Sequence, residues 1–424
     1  MIRPNNTLFL PPRPDSIIVN EGADGHIPVE AGKVYRFRII NFSAIAAAFL
    51  HLESHDMSVI MNDATYVKQH STSALRISPG ERYDVLVWID NKDQRNFPFL
   101  FALDTNPDHM ASNVSFQLNF TGQLLLDPSK DVTQNYTVGT FRIFDETTLE
   151  PYDDLEAYGP VTKHWVLNFD FCHDDNGYPR SCFNSTTYIA QKVPTLYSAV
   201  TLGPHNIHPE AYGQVNPFIV EYGDVVEIVI YNNDTATHPF HLHGHQFQVI
   251  QRAPSNAGTW KVTVEGNKAP PRKDTISVQP KSYAVLRIVA DNPGVWLLHC
   301  HIEWHVEMGL TATLIEAPER LAELTIPQDH LDTCTAMGIR TSGNAGGNDV
   351  WDNTEGFVTE PPTSYVGAVW PDSGPLEFGD TKSEREVRKE KGWTRKRADP
   401  QRVVQTLPED RLGLRNRPHY RKDK

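Results

Sequence analysis

His299-Cys300-His301-Ile302-Glu303-Trp304-His305 closes an apolar, strand-like run that opens at Gly294. In an extended chain, alternate side chains leave opposite faces. His299 and His301 therefore project one way and Cys300 the other. One short segment can serve two metal sites, with a thiolate in the first and two imidazoles in the second.

A second dense segment lies upstream, His238-Pro239-Phe240-His241-Leu242-His243-Gly244-His245. His241 and His243 share a strand face, and His238 sits at the loop before them. A thiolate with two imidazoles and a weak or absent axial ligand makes an electron-transfer copper site, and Cys300 with His238 and His305 fits that set. Leu310, ten positions after the cysteine, stands where an axial ligand would approach. A non-coordinating leucine there is expected to raise the reduction potential. Zinc sites seldom combine a His-Cys-His triplet with His-x-x-His-x-His. His245 has no evident ligand role.

Around these segments the chain reads as all-β. Short Val/Ile/Thr/Tyr/Phe runs alternate with turn signals, in a sequence holding 31 Pro and 26 Gly. Strand patterns occur at 163–169, 217–221, 225–232, 247–250, 274–278, 283–289 and 294–299. An earlier set occupies 16–20, 34–41, 57–62, 74–77, 83–89, 99–103 and 115–120, spaced as in a Greek-key sandwich. Four regions follow: a β unit over 1–140, an acidic connector over 141–160, a copper-binding β unit over 161–340, and a polar, then basic tail over 341–424. The tail loses periodicity and is expected to be disordered.

Charge and cysteines narrow the setting. Residues 380–424 carry 15 Lys/Arg and 8 Asp/Glu, a net of +7, so the formal -14 of the whole leaves -21 on the body. An acidic body favours a cationic substrate over nucleic acid. No run of eighteen apolar residues suggests a transmembrane helix, and the first residues lack the apolar core of a secretory signal. Seven Asn-x-Ser/Thr acceptors (Asn5, Asn41, Asn113, Asn119, Asn135, Asn184, Asn233) nevertheless point to a secreted or cell-surface protein, although Asn41 and Asn233 are expected to be silent. Cys172 and Cys182 flank a turn-forming stretch and are expected to pair. Cys334 is left over.

The two histidine segments resemble the third-domain copper motifs of multicopper oxidases, the family of laccases, ascorbate oxidase and fungal ferroxidases. The resemblance spans about residues 8–340 and implies two cupredoxin-like Greek-key sandwiches, the family's second and third domains. It assigns His238, Cys300 and His305 to type 1 copper, His241 to type 2, and His243, His299 and His301 to type 3. Glu303 matches the acid that delivers protons during oxygen reduction. The family's first domain would supply one more type 2 and three more type 3 histidines, yet no His-x-His precedes His241. His51 and His55 look structural. Missing signal, missing histidines and orphan Cys334 share one explanation, a truncated form or a natural two-domain protein with an incomplete cluster.

Within the family, Asp291-Asn-Pro-Gly-Val-Trp, Lys192-Val-Pro-Thr-Leu and Glu316-Ala-Pro resemble fungal iron-transport ferroxidases. That implies Fe(II) and O2 as substrates, with an iron permease as partner if the role is shared. Glu53 and Asp145 match carboxylates that bind the iron. A third acid is expected in the loop after the first copper motif, where 252–272 offers only Glu265. A laccase-like oxidase of phenols, or an electron-transfer module without oxidase activity, are the alternative readings.

Overall fold

The computed structural model describes residues 17–20, 25–90, 95–105, 119–261, 268–361 and 404–406. Two β-sandwiches follow one another along the chain. The first is built from β1 (His26–Pro28), β2 (Val34–Ile40), β3 (Ala48–Leu52), β4 (Met57–Asn62), β5 (Thr65–Thr72), β6 (Ala74–Ile77), β7 (Arg82–Trp88), β8 (Phe97–Leu103) and β9 (Asn119–Leu125). Its sheets run β1-β9-β8-β3-β6 and β2-β7-β4-β5, and Val404–Thr406 adds a short strand at the edge of β2.

The second sandwich contains β10 (Lys163–His173), β11 (Pro179–Phe183), β12 (Pro217–Val220), β13 (Val225–Asn232), β14 (His238–Leu242), β15 (Phe247–Arg252), β16 (Arg272–Lys273), β17 (Thr275–Val278), β18 (Ser282–Val289), β19 (Gly294–Cys300) and β20 (Thr311–Glu316). One sheet runs β11-β10-β13-β18-β15-β16 and the other β12-β20-β19-β14-β17. Strand neighbours distant in sequence give both units Greek-key connectivity of the cupredoxin-like kind. Each sandwich has its own apolar core.

Three expected runs match to the residue: 57–62, 74–77 and 225–232 coincide with β4, β6 and β13. β5, β11 and β20 carry no strand expectation, because their apolar and polar residues do not alternate cleanly. β11 and β20 are buried throughout, so neither shows a two-residue period. Cys172 and Cys182 are disulfide-bonded across the β10–β11 hairpin. Asn41 donates its amide to the carbonyls of Ala46 (2.9 Å) and Ile77 (2.8 Å), which takes it out of reach of glycosylation. Asn5 and Asn113 lie outside the described residues.

Residues 341–361 differ from the expected tail. Asn344 and Ala345 are buried, Ala345 N donates to Ala211 O (2.8 Å), and Gln191 Nε2 donates to Val358 O (3.0 Å). The Asn344 amide holds this loop by donating to the carbonyls of Val350, Trp351 and Asn353. Such a side-chain-organised loop has neither helical nor strand periodicity, so its sequence looks unstructured. Residues 362–403 and 407–424 lie outside the described residues.

The sandwiches meet through a buried charge cluster. Lys273, fully buried, lies 3.4 Å from Glu81, 4.0 Å from Asp63 and 3.9 Å from Glu146 of the connector. Burial alone would lower the lysine pKa, but these carboxylates hold it above its ordinary value. Glu146 also pairs with Arg252 at 2.5 Å. Burial pushes this acid up, yet Arg252 and Lys273 outweigh it and bring its pKa down to about 2. A depressed acid stabilises the fold fully above its unfolded value near 4.5 and loses that contribution as pH falls toward 2. The unfolding free energy should therefore drop by roughly 3 kcal/mol between pH 7 and 2, about 2 kcal/mol of it by pH 3, read from urea midpoints at pH 7, 4.5, 3 and 2. An unchanged midpoint below pH 4.5 would refute the assignment.

Candidate metal centre

The register of β14 against β19 builds the centre. Phe240 pairs with Cys300, His241 with His299, and Leu242 with Leu298. Paired residues share a face, so His241 and His299 look one way while Phe240 and Cys300 look into the core. His238 lies two residues before Phe240 and therefore on the core side, near the cysteine. Chain reversal after β19 brings in the third donor. The short helix α1 (Glu303–Glu307) carries His305 back, its N–H donating to Ile302 O at 2.9 Å.

His238, Cys300 and His305 consequently present donor atoms within 4.8 Å of one another, all buried. Cys300 Sγ lies 3.7 Å from His238 Nδ1 and 3.6 Å from His305 Nδ1, and the two nitrogens are 3.1 Å apart. His238 Nε2 donates to Asp234 Oδ2 at 2.9 Å, which leaves Nδ1 as the free lone pair facing the thiol. Phe169 packs edge-on against His238, with centroids 4.6 Å apart, and Phe171 against His305 at 5.5 Å. Leu310 is buried in the same cluster as Cys300. Burial pushes the Cys300 thiol far up and the His305 imidazole far down. Two imidazoles and a thiol converging in a buried pocket fit a thiophilic cation that displaces the thiol proton, because metal charge is what makes a buried thiolate stable.

The other face gathers His241, His243, His299 and His301. His243 Nε2 and His299 Nε2 lie 3.0 Å apart. Ring centroids of His241 and His301 are 5.9 Å apart, and those of His299 and His301 5.7 Å. Burial lowers the His299 pKa to about 3 and also lowers that of His243, so both rings stay neutral. His301 Nδ1 is buried without a hydrogen-bond partner. Four imidazoles gathered on one face, with the His243 and His299 nitrogens 3.0 Å apart, suit metal ligation. Cys300 and the flanking His299 and His301 thus place the two centres on opposite sides of one strand.

Other expected residues stand apart. Glu303 opens α1 with an exposed side chain, its N–H donating to Ala44 O at 2.9 Å. Glu53 pairs with Arg95, and Asp145 with Arg252. Neither joins the group formed by His238, Cys300 and His305. Glu265 lies outside the described residues. His245 forms a buried pair with Glu316. Asp234 carries no sequence expectation, because an acid is expected only after the first copper motif, whereas Asp234 stands four residues before His238, in the β13–β14 loop.

Residues 3–119 and 188–320 each match a family profile described as multicopper oxidase. The crystal structure of Fet3p, a multicopper oxidase that functions in iron import, superposes with a TM-score of 0.78 at 32% identity, over 84% of this chain and 69% of that one. The chain belongs to the multicopper oxidase family. Membership implies copper as the cofactor, and the two centres have the donor chemistry to hold it. The chain is 38% identical over 348 residues to the iron transport multicopper oxidase fetC of Epichloe festucae, covering 80% of this chain and 55% of that protein. It is 36% identical over 374 residues to the iron transport multicopper oxidase fio1 of Schizosaccharomyces pombe, covering 85% and 58%. The chain thus spans a little over half the length of these curated multicopper oxidases.

Proposed function

We propose that this multicopper oxidase domain pair takes single electrons from Fe(II) at the His238–Cys300–His305 centre and passes them toward O2 at the histidine face behind it. Copper bound by Cys300 and the two imidazoles supplies a one-electron couple. In this reading His238, Cys300 and His305 form the type 1 site, His241 serves type 2 copper, and His243, His299 and His301 serve type 3 copper. In this reading the four histidines make only part of a trinuclear set, so the chain by itself holds an incomplete cluster and is expected to reduce little or no O2. Glu303 is the proton donor.

The observation that carries the iron reading is Asp234. Its carboxylate is 20% exposed and hydrogen-bonded to His238, whose side chain is almost wholly buried. A cation held at Asp234 is one hydrogen bond from the first ligand. Burial pushes Asp234 up, but its bonds to His238 and to backbone N–H groups bring it below the ordinary carboxylate range, so it is ionised at neutral pH. An anionic site stabilises Fe(III) over Fe(II), which eases loss of the electron. The neighbouring peptide carries the exit: His299 Nδ1 donates to Cys300 O at 2.8 Å. A secreted or cell-surface location agrees with the Cys172–Cys182 disulfide, since oxidising compartments preserve such bonds. Among the described residues no helix is long and apolar enough to cross a membrane.

The test needs no complete cluster. In stopped flow, Fe(II) should bleach the blue copper of the purified chain, and Asp234→Ala should slow that bleaching at least about tenfold, one charged hydrogen-bonded contact being worth ~1.5–3 kcal/mol. Bleaching by hydroquinone should change far less. Glu53→Ala tests the second carboxylate in the same assay. Equal slowing for iron and hydroquinone would exclude an iron site and favour a phenol oxidase.

A further inference from the structure

We infer that the turn at residues 78–82 of the first sandwich is a positioning device for two cluster histidines of the second. This rests on the reading of His241 and His301 as metal ligands. The turn docks on β17, the edge strand of the copper-bearing sheet. Ser78 Oγ meets Ser277 Oγ at 2.7 Å, and Thr275 Oγ1 donates to Gly80 O at 3.4 Å.

Arg82 grips Asp274 with both terminal nitrogens, Nη2 to Oδ2 at 2.6 Å. Asp63, also of the first sandwich, fixes the same place on the strand. Its Oδ2 accepts from the N–H groups of Asp274 and Thr275 at 3.2 Å each, and its Oδ1 from Arg82 N at 3.0 Å. Asp274 in turn receives the His241 ring. Nδ1 lies 2.8 Å from the Asp274 carbonyl oxygen, which can only accept, so Nδ1 carries the proton and Nε2 is free for a metal. The Asp274 carboxylate stays 3.5 Å from that ring, because the guanidinium has engaged both its oxygens. Without Arg82 the carboxylate keeps only the Thr275 hydroxyl at 3.1 Å as a side-chain donor and can swing onto Nδ1 and rotate the imidazole. Arg82 therefore acts at second hand, through Asp274, on the direction in which His241 offers its lone pair.

Gly80 sets the second ring. Its φ is +83°, a left-handed conformation that favours glycine. A Cβ there would lie 2.4 Å from His301 Cδ2. The backbone of the first sandwich thus forms the wall against which His301 rests. Three residues of one turn, Ser78, Gly80 and Arg82, thus bear on the settings of two histidines more than 150 residues away in sequence.

The experiment uses the metal-free full chain labelled with 15N-histidine, titrated with Zn(II) as a redox-inert probe and followed histidine by histidine. Arg82→Gln should move the His241 ring resonances before any metal is added. It should also weaken Zn(II) binding at His241 and His301 by about 10–100-fold, the usual effect of removing an outer partner. His238 and His305 should change less than about threefold, their partners being elsewhere. Arg82→Lys should recover part of the loss. Gly80→Ala, expected to displace His301 rather than His241, gives an independent arm if Arg82→Gln does not fold. Folded Arg82→Gln or Gly80→Ala protein with unmoved ring resonances would overturn the positioning role. Wild-type chain whose His241 and His301 ignore Zn(II) would instead count against their assignment as ligands, while the metal-free resonances still decide the positioning.

Discussion

Cys300→Ser should remove the intense visible absorption of the copper-loaded chain completely, and with it one tightly held copper per molecule. The band requires charge transfer from a thiolate, which a neutral hydroxyl cannot supply. The burial that makes Cys300 a poor free acid makes it a strong ligand: its sulfur has no solvent to share its charge, and two imidazole nitrogens lie 3.6 and 3.7 Å away. Serine is nearly isosteric, so the core around Phe240, Ile302 and Leu310 should hold and the far-UV circular dichroism should not change. Visible spectra and copper analysis of the purified variant decide the matter. Surviving blue colour would mean that another sulfur binds the metal and that the convergence of His238, Cys300 and His305 is fortuitous.

Lys273→Met should cost about 3–5 kcal/mol of unfolding free energy, because removing one partner leaves buried charges uncompensated. Lys273 Nζ is the cation shared by Glu81, Asp63 and Glu146, with Asn62 Oδ1 at 3.3 Å completing its shell. Methionine preserves most of the volume, so the loss measures charge rather than packing. Because Glu81 and Asp63 belong to the first sandwich and Lys273 to the second, the variant should also uncouple the two units. Urea denaturation is expected to split from one transition into two. A shift under about 1 kcal/mol with a single transition would mean that the acids find other partners and that the interface is held by apolar contact.

Much of this site is legible in local sequence. Period-2 geometry alone sends His299 and His301 to one face and Cys300 to the other, and the two histidine segments are visible by inspection. The all-β architecture follows from runs such as 225–232, where a β-branched apolar stretch and flanking turn signals agree. The backbone dictates these features within a few residues, without help from the rest of the chain.

Contacts between distant segments are a different matter. The pairing of Phe240 with Cys300, which delivers His238 to the thiol, is a register, and a one-residue slip would turn every histidine to the wrong face. His305 reaches the cysteine only because α1 reverses the chain. Asp234 gains its meaning from a loop that folds its carboxylate onto His238, and nothing in Asn233-Asp234-Thr235 announces it. Glu53 and Asp145, chosen by likeness, are each tied to an arginine of their own. The sequence alone therefore determined the strands, the donor types and the two-faced strand. Tertiary packing decided which donors meet, which acid touches a ligand, and how Arg82 and Gly80 bear on rings far along the chain. Alternation is a property of each backbone segment, whereas proximity is a property of how segments dock.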